Sequence, residues 1–276
     1  MRLRVFLYRC VAAACAAAVG GCATTPPQAP KDANDARIER TDKSFDIPSG
    51  VARVAIDNPW GEINVRARDE REVGIHAVIQ RLPPKFPAVT FRSHRDGDTL
   101  HIDVLVAGAS RASGAPAPAR ADLAVYVPSE LAIVLATTDA RISATRRAGP
   151  IEATTDSGEI QASSLSRLDL HSRSGQIRAI EIGKRWPGES RIATETGRIV
   201  LLVPTFGDVA LEARTGGALS TGFGLSVHAL ADGGHEAHAR YGAGSSSLRA
   251  QSASGEIVLE QLVLLGDDKA LPEDDD

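Results

Sequence analysis

The chain has 276 residues, a formal net charge of −4, and a composition that is 43% hydrophobic but only 4% aromatic. A core made of Val, Ile, Leu and Ala suits repetitive β-structure better than a core anchored by aromatic rings. The acidic balance excludes an electrostatic case for nucleic-acid binding, and the length allows one large domain or two modest ones.

The N-terminus predicts an export signal over residues 1–21, because three arginines precede an apolar run too short to span a membrane as a helix. The sequence "VGGC" at 19–22 resembles the lipobox of bacterial lipoproteins. The resemblance implies that Cys22 is diacylated with palmitate-type chains and anchors the protein, and that Ala23 directs it to the outer membrane of a Gram-negative cell. An ordinary signal with a chance cysteine is the alternative.

Cysteine usage agrees with this interpretation. Cys10 and Cys15 would leave with the signal, and Cys22 would carry lipid. The mature chain would then hold no thiol for a disulfide, a metal or a nucleophile. We expect no cofactor and no metal.

The remaining chain divides by composition. Residues 22–43 are polar and proline-bearing and predict a disordered tether, 44–130 an N-terminal β region, 131–266 β-helical repeats, and 267–276 an acidic disordered tail. A low-complexity piece at 107–121 predicts an exposed loop. Short runs of alternating apolar residues predict strands throughout, but leave open whether 44–130 continues the repeats or forms an antiparallel cap.

A phrase of Ser or Thr, then Gly, then Ile recurs with a period of about 20 residues, which is typical of a solenoid. We assign the repeat corners to Gly61, Gly158, Gly175, Gly197, Gly216 and Gly255, with Ala140 in the same role. The last gap is about twice as long, and we interpret its middle, 220–240, as a degenerate copy.

Each copy has the same pattern around its corner. Apolar residues mostly alternate before it, and isoleucine stands two positions after it in every copy but that of Gly216. A hydroxyl stands three positions before it, except for Asn58 and Ala213. We therefore predict an all-β fold, a single-chain parallel β-helix in which equivalent residues stack about 4.8 Å apart. The hydroxyls would bond one another or the corner amides, and the glycines would supply positive φ. Four isoleucines would form a buried column: Ile142, Ile160, Ile177 and Ile199. At Gly216 the following Leu219 is one residue late, which predicts a bulge.

Outward positions carry alternating charge. Two residues before successive corners stand Asp156, Arg173, Glu195 and Arg214. In a stack that follows chain order, each would lie beside an opposite charge, which would favour this register.

These motifs resemble a bacterial family of unknown function, labelled "putative adhesin", which has a β-helical fold. The resemblance rests on "NPWGEINV" at 58–65, "VPSELAIVLATTDARI" at 127–142, the repeats, and "GAGSSSLRAQSASGEIVL" at 242–259. It covers roughly 44–262 and implies an envelope or surface role. The family defines no catalytic residues, so it assigns none here.

Residues able to do chemistry are few. "HEAH" at 235–238 lacks the spacing of a zinc helix and predicts a polar loop. His171 is expected to face solvent. The carboxylates Glu62, Glu159 and Glu256 recur one position after a corner, but Arg141 and Arg198 share that column and neutralisation is the simpler interpretation.

Trp60, beside the first corner, is expected either to cap the stack or to offer a sugar-stacking surface, with capping favoured.

The leading functional hypothesis is a non-enzymatic cell-envelope lipoprotein whose β-helical face binds an envelope protein or a polysaccharide. The alternatives are a polysaccharide lyase or hydrolase on the same scaffold, and a periplasmic signalling or assembly accessory. A catalytic role would require acidic and basic groups that converge on one groove.

Overall fold

The computed structural model describes residues 36–109 and 117–263, and these residues form strands and turns without a helix. The predicted signal, Cys22, the acidic tail and the centre of the 107–121 loop lie outside the described residues. No helix of the described part is long and apolar enough to cross a membrane.

The strands belong to two mixed sheets that are not closed on themselves. Sheet A has ten strands in the spatial order β1 (Arg37–Asp46), β4 (Glu72–Arg81), β7 (Ala119–Pro128), β3 (Ile63–Arg68), β9 (Ile142–Arg147), β11 (Ile160–Ser164), β13 (Ile177–Glu181), β15 (Ile199–Val203), β21 (Ile257–Gln261) and β17 (Leu219–Thr221).

Sheet B has eleven strands in the order β18 (Val227–Ala229), β19 (His235–Tyr241), β16 (Val209–Thr215), β20 (Ser246–Ser252), β14 (Glu189–Thr194), β12 (Leu168–Ser172), β10 (Ile151–Thr155), β8 (Ala132–Ala136), β2 (Arg53–Asp57), β6 (Thr99–Val106) and β5 (Val89–Asp96). Side chains from both sheets form one buried aliphatic cluster.

From β8 to β15 the chain alternates between the sheets, and each strand pairs in parallel with the equivalent strand of the next repeat. The predicted isoleucine column is confirmed, because Ile142, Ile160, Ile177 and Ile199 are direct partners on neighbouring strands and each is 0% exposed. The apolar alternation therefore fixes the register of both sheets in this region.

The N-terminal part combines both pairing modes. Strands β2 and β3 pair in parallel with β8 and β9, and on their other side with β6 and β7. Strands β1, β4 and β5 add antiparallel pairs at the ends of the two sheets. Residues 37–43 of the predicted tether lie in β1, which corrects that boundary. Its side chains alternate too weakly for a strand to be recognised from sequence, since β1 is largely exposed on both faces.

The C-terminal part departs from chain order. Strands β20 and β21 insert between β14/β15 and β16/β17, so the last repeat along the chain is the penultimate one in space. The stretch 220–240, interpreted as a degenerate copy, instead contains the antiparallel pair β18 and β19 at the edge of sheet B. Arg214 consequently lies beside Gln251, not beside Glu195 as predicted.

Candidate binding groove and the glycine corners

The glycine corners are places of very close backbone contact. A Cβ atom added at Gly175 would lie 1.9 Å from the carbonyl oxygen of Gly158, and one at Gly158 would lie 1.8 Å from that of Ala140. Gly197 and Gly255 show the same contact with the preceding corner in the stack. These glycines do not have positive φ. At these four corners the expected reason for glycine was therefore wrong, because the position needs the absence of a side chain and not a left-handed backbone. Gly61 has both features, since its φ is +156° and a Cβ atom there would lie 1.9 Å from the carbonyl oxygen of Ala121.

Buried hydroxyls close each corner. The N–H of Gly175 donates to Ser172 Oγ at 2.8 Å, and the N–H of Gly158 donates to Thr155 Oγ1 at 3.1 Å. The corners of Gly197 and Gly255 have the same bond. The prediction that the hydroxyl column bonds corner amides is thus confirmed, and each bond satisfies a buried backbone donor.

The copy assigned to Gly216 lies in a different register from the predicted one. Thr215 is the direct partner of Ser252, and Leu219 is the partner of Ile257. The corner between them is one residue shorter than in the other copies, and Thr215 Oγ1 accepts from the N–H of Gly217. A shortened corner, not a bulge, explains the displaced leucine.

A row of ion pairs follows the corners, next to the residues where the strands of sheet A begin. Glu159 pairs with Arg141 at 3.6 Å, Glu256 with Arg198 at 3.0 Å, and Glu62 with Arg120 at 3.0 Å. The carboxylates of the corner column are therefore neutralised, as the sequence indicated. Asp156 and Arg173 lie at adjacent register positions, which agrees with the predicted alignment of these two repeats.

The polar residues singled out in the sequence lie apart. His171 is exposed, as expected. The "HEAH" segment is part of strand β19 and not a loop, and His235 Nδ1 lies 2.8 Å from the carbonyl oxygen of Gly217, whereas His238 lies beside Glu236. Among the described residues no group of three or more His, Cys, Asp or Glu is placed to hold a metal.

Trp60 is half-buried against the core and lines a small cavity of about 140 Å³ together with Arg120 and Asp139. Its repeat, β2/β3, has β6/β7 on its outer side, so Trp60 does not cap the end of the stack.

A surface concavity at the C-terminal end of sheet B, which we call the C-terminal groove, has a volume of about 550 Å³. Its floor is the outer face of β14, β20 and β16, and its wall is the turn between β18 and β19. The residues that define it are Ala193, Ala253, Leu230, Arg214, Asp232 and Gln251. Sequence reasoning missed it because strands that are adjacent here are distant along the chain.

Charge in the C-terminal groove is paired but accessible. Arg214 Nη2 donates to Asp232 Oδ2 at 3.2 Å, and both side chains are more than half exposed. The N–H of Gly234 is the main cause that lowers the pKa of Asp232 below its ordinary value; desolvation opposes it, and Arg214 adds a further lowering. Gln251 is exposed and makes no side-chain hydrogen bond to another described residue. The groove thus presents the amide of Gln251, the guanidinium of Arg214 and the carboxylate of Asp232 beside the small side chains of Ala193 and Ala253.

These features define an all-β protein of two mixed sheets with a stacked parallel centre. No protein-family model and no curated protein matches the chain. Similar solved structures include a "putative cell adhesion protein" from Clostridium sporogenes, with 11% identity, 82% of this chain and 100% of that chain covered, and a TM-score of 0.48.

A "putative adhesin" from Bacteroides fragilis has 8% identity, covers 81% of this chain and 97% of its own, and has a TM-score of 0.26. A "putative lipid binding protein" from Parabacteroides distasonis has 8% identity, coverage of 82% and 97%, and a TM-score of 0.32. Likenesses this weak assign neither a family nor a function to this chain.

Proposed function

We propose that the chain is a non-enzymatic cell-envelope lipoprotein, anchored through Cys22, whose repeats form a single-chain parallel β-helix that binds an envelope polysaccharide. The C-terminal groove carries this proposal. Its flat floor of small side chains leaves room for an extended ligand, and the exposed Gln251, Arg214 and Asp232 offer both donors and acceptors to a hydroxyl-rich chain.

The test is glycan binding by the purified full-length protein, on an array of bacterial polysaccharide fragments followed by titration. Gln251→Ala and Arg214→Ala are expected to weaken binding about tenfold each, which corresponds to one or two lost hydrogen bonds. Arg178→Ala, on the outer face of sheet A, is the matched control and should leave affinity unchanged. Binding that is equal in all variants would contradict the groove as the site, and binding to an envelope protein in place of any glycan would contradict the ligand class.

The alternative of polysaccharide cleavage receives less support from the geometry. Glu62, Glu159 and Glu256 each lie in a corner beside an arginine that neutralises them, and none of the three lines the C-terminal groove. General acid–base cleavage needs two carboxyl groups that face one bound sugar. A search for turnover of uronate polymers, with Glu159→Gln as the variant, would reveal such an activity.

The envelope location is tested separately from binding. Protease added to intact cells should degrade the domain if it is exposed at the cell surface. A domain that is spared would be periplasmic, and this result would point to the signalling or assembly alternative. Labelling with a palmitate analogue should be lost in Cys22→Ala if Cys22 is the anchor.

A further inference from the structure

Glu181 is a fully buried carboxyl group at the end of β13, where the chain leaves sheet A. Its side chain is 0% exposed, and its Oε1 accepts a short hydrogen bond from the hydroxyl of Ser190. Its Oε2 is buried and has no hydrogen-bond partner among the described residues. A buried carboxyl group with one oxygen unpaired is stable as the neutral acid and unfavourable as the anion.

The groups packed around Glu181 are uncharged. On the neighbouring strands of sheet A its register partner is Ser164, and on the other side Val203 lies one position beyond the pair formed by Ile180 and Leu202. From sheet B, Ser190 faces it and accepts the N–H of Leu168 at 3.0 Å.

The nearest buried cation is Arg147, on the strand beyond Ser164. Its guanidinium donates to the carbonyl oxygens of Val127, Pro128 and Leu131, so it is engaged by a different turn. Burial accordingly raises the pKa of Glu181 to about 8, although Ser190 and the N–H of Leu168 oppose this effect.

The turn that follows Glu181 is unlike its neighbours. It runs over residues 182–188 and sends Trp186 into the core, where the indole is 3% exposed and its Nε1 is unpaired among the described residues. Its backbone is held by Ser246, whose hydroxyl accepts the N–H of Trp186 and donates to its carbonyl oxygen, both at 2.9 Å. The flanking Lys184, Arg185, Pro187 and Gly188 are exposed.

We propose that the neutral carboxyl group of Glu181 holds the turn 182–188 closed, and that loss of its proton to solvent releases this turn together with Trp186. The turn connects the strands that carry Glu181 and Ser190, and the side chains of these two residues share a buried hydrogen bond. Water can reach the carboxylate with the least disruption if this turn moves, because the strands on either side are paired along their length. Opening of this turn is therefore expected to depend on pH.

The sign of the response follows from proton linkage. The closed turn keeps the proton over a pH range in which an opened turn, with Glu181 in water, has lost it. Opening therefore becomes easier as pH rises from about 4.5, the ordinary value, towards 8, and levels off above that.

The experiment uses Trp60→Phe, which leaves Trp186 as the sole tryptophan of the full-length chain. Hydrogen exchange of residues 182–188 is measured between pH 5 and pH 9 as protection factors, which remove the intrinsic acceleration of exchange with pH. We expect protection of this turn to fall at least tenfold while β12 and β14 stay protected, and the Trp186 emission to shift to longer wavelength.

Glu181→Gln in the same background mimics the neutral acid and should abolish the pH dependence. Glu195→Gln, at an exposed position beyond the other end of β14, is the control and should retain it. Protection that is equal at pH 5 and pH 9 in the Trp60→Phe protein would overturn the proposal. Should Glu181→Gln not fold, NMR titration of the Glu181 carboxyl carbon in the parent decides the matter, and an ordinary pKa there would also overturn it.

Discussion

The two bends of each repeat follow different rules. The glycine corner has the same length in the copies of Gly158, Gly175, Gly197 and Gly255, and in each the glycine N–H donates to a Ser or Thr hydroxyl, whereas the opposite turn varies from 148–150 and 165–167 to the longer 182–188 and 204–208. The corner is constrained by backbone that touches backbone, so its sequence can hardly change. The opposite turn varies in length, and at or beside it the protein carries its buried Arg147, its buried Glu181 and its buried Trp186. The glycine corners are therefore nearly alike, whereas the opposite turns differ in length and in the side chains that they bury.

The largest effect is expected at the glycine corner. Gly175→Ala would place a Cβ atom 1.9 Å from the carbonyl oxygen of Gly158, and backbone on both sides prevents relief. We expect a loss of about 4 kcal/mol in the free energy of unfolding, beyond the usual range for overpacking because the obstructing atoms are backbone. Urea unfolding followed by circular dichroism measures it. Gly222→Ala meets nothing closer than 3.7 Å and is the control; an equal loss in both would remove the distinction between the corner and the rest.

The stability of the opposite turn should depend on the buried side chain of Trp186. Trp186→Ala removes a nearly buried indole and should lower the free energy of unfolding by about 3 kcal/mol, at the low end for such a truncation because exposed residues of the turn can collapse inward. Trp60→Ala, at a half-buried position, should cost less in the same urea titration. If Trp186→Ala is the milder of the two, the turn is not a structural part of the core.

The hydroxyl that closes the corner should matter least of the three. Ser172→Ala leaves the buried N–H of Gly175 without an acceptor and should cost about 1–2 kcal/mol. Ser174→Ala, one position before the glycine and exposed, should change stability by no more than about 0.5 kcal/mol. Indistinguishable midpoints in urea would mean that close contact, and not the hydrogen bond, defines the corner.

Much of the central fold follows from sequence because its period is a physical constraint. Residues two apart share a face, and one buried face specifies register, so the columns that contain Ile142 and Ser172 could be assigned before the structure. The positive φ expected at the corners was wrong for Gly158, Gly175, Gly197 and Gly255. The sequence shows that these positions exclude a side chain, but it does not show whether backbone torsion or close backbone contact is the cause.

The site was less accessible to sequence reasoning. The C-terminal groove brings Ala193 together with Arg214 through β20, which comes later in the chain than both, and periodicity gives chain order but not spatial order. Glu181 also escaped notice, because a single glutamate among alternating residues looks like a solvent-facing one. The glycines of the opposite turn, such as Gly149 and Gly183, approach neighbouring backbone as closely as the corners do, yet they share no common phrase that would reveal them.

The position of β20 and β21 has a consequence for how the molecule is assembled. Strands β14 and β16 cannot pair with each other, since the intervening partner is supplied by residues 246–252. Both sheets therefore lack one strand until residues 246–261 have paired. A chain without these residues should have unpaired backbone edges in the middle of both sheets and not merely a frayed end, so the repeats on either side depend on one segment for their mutual contact.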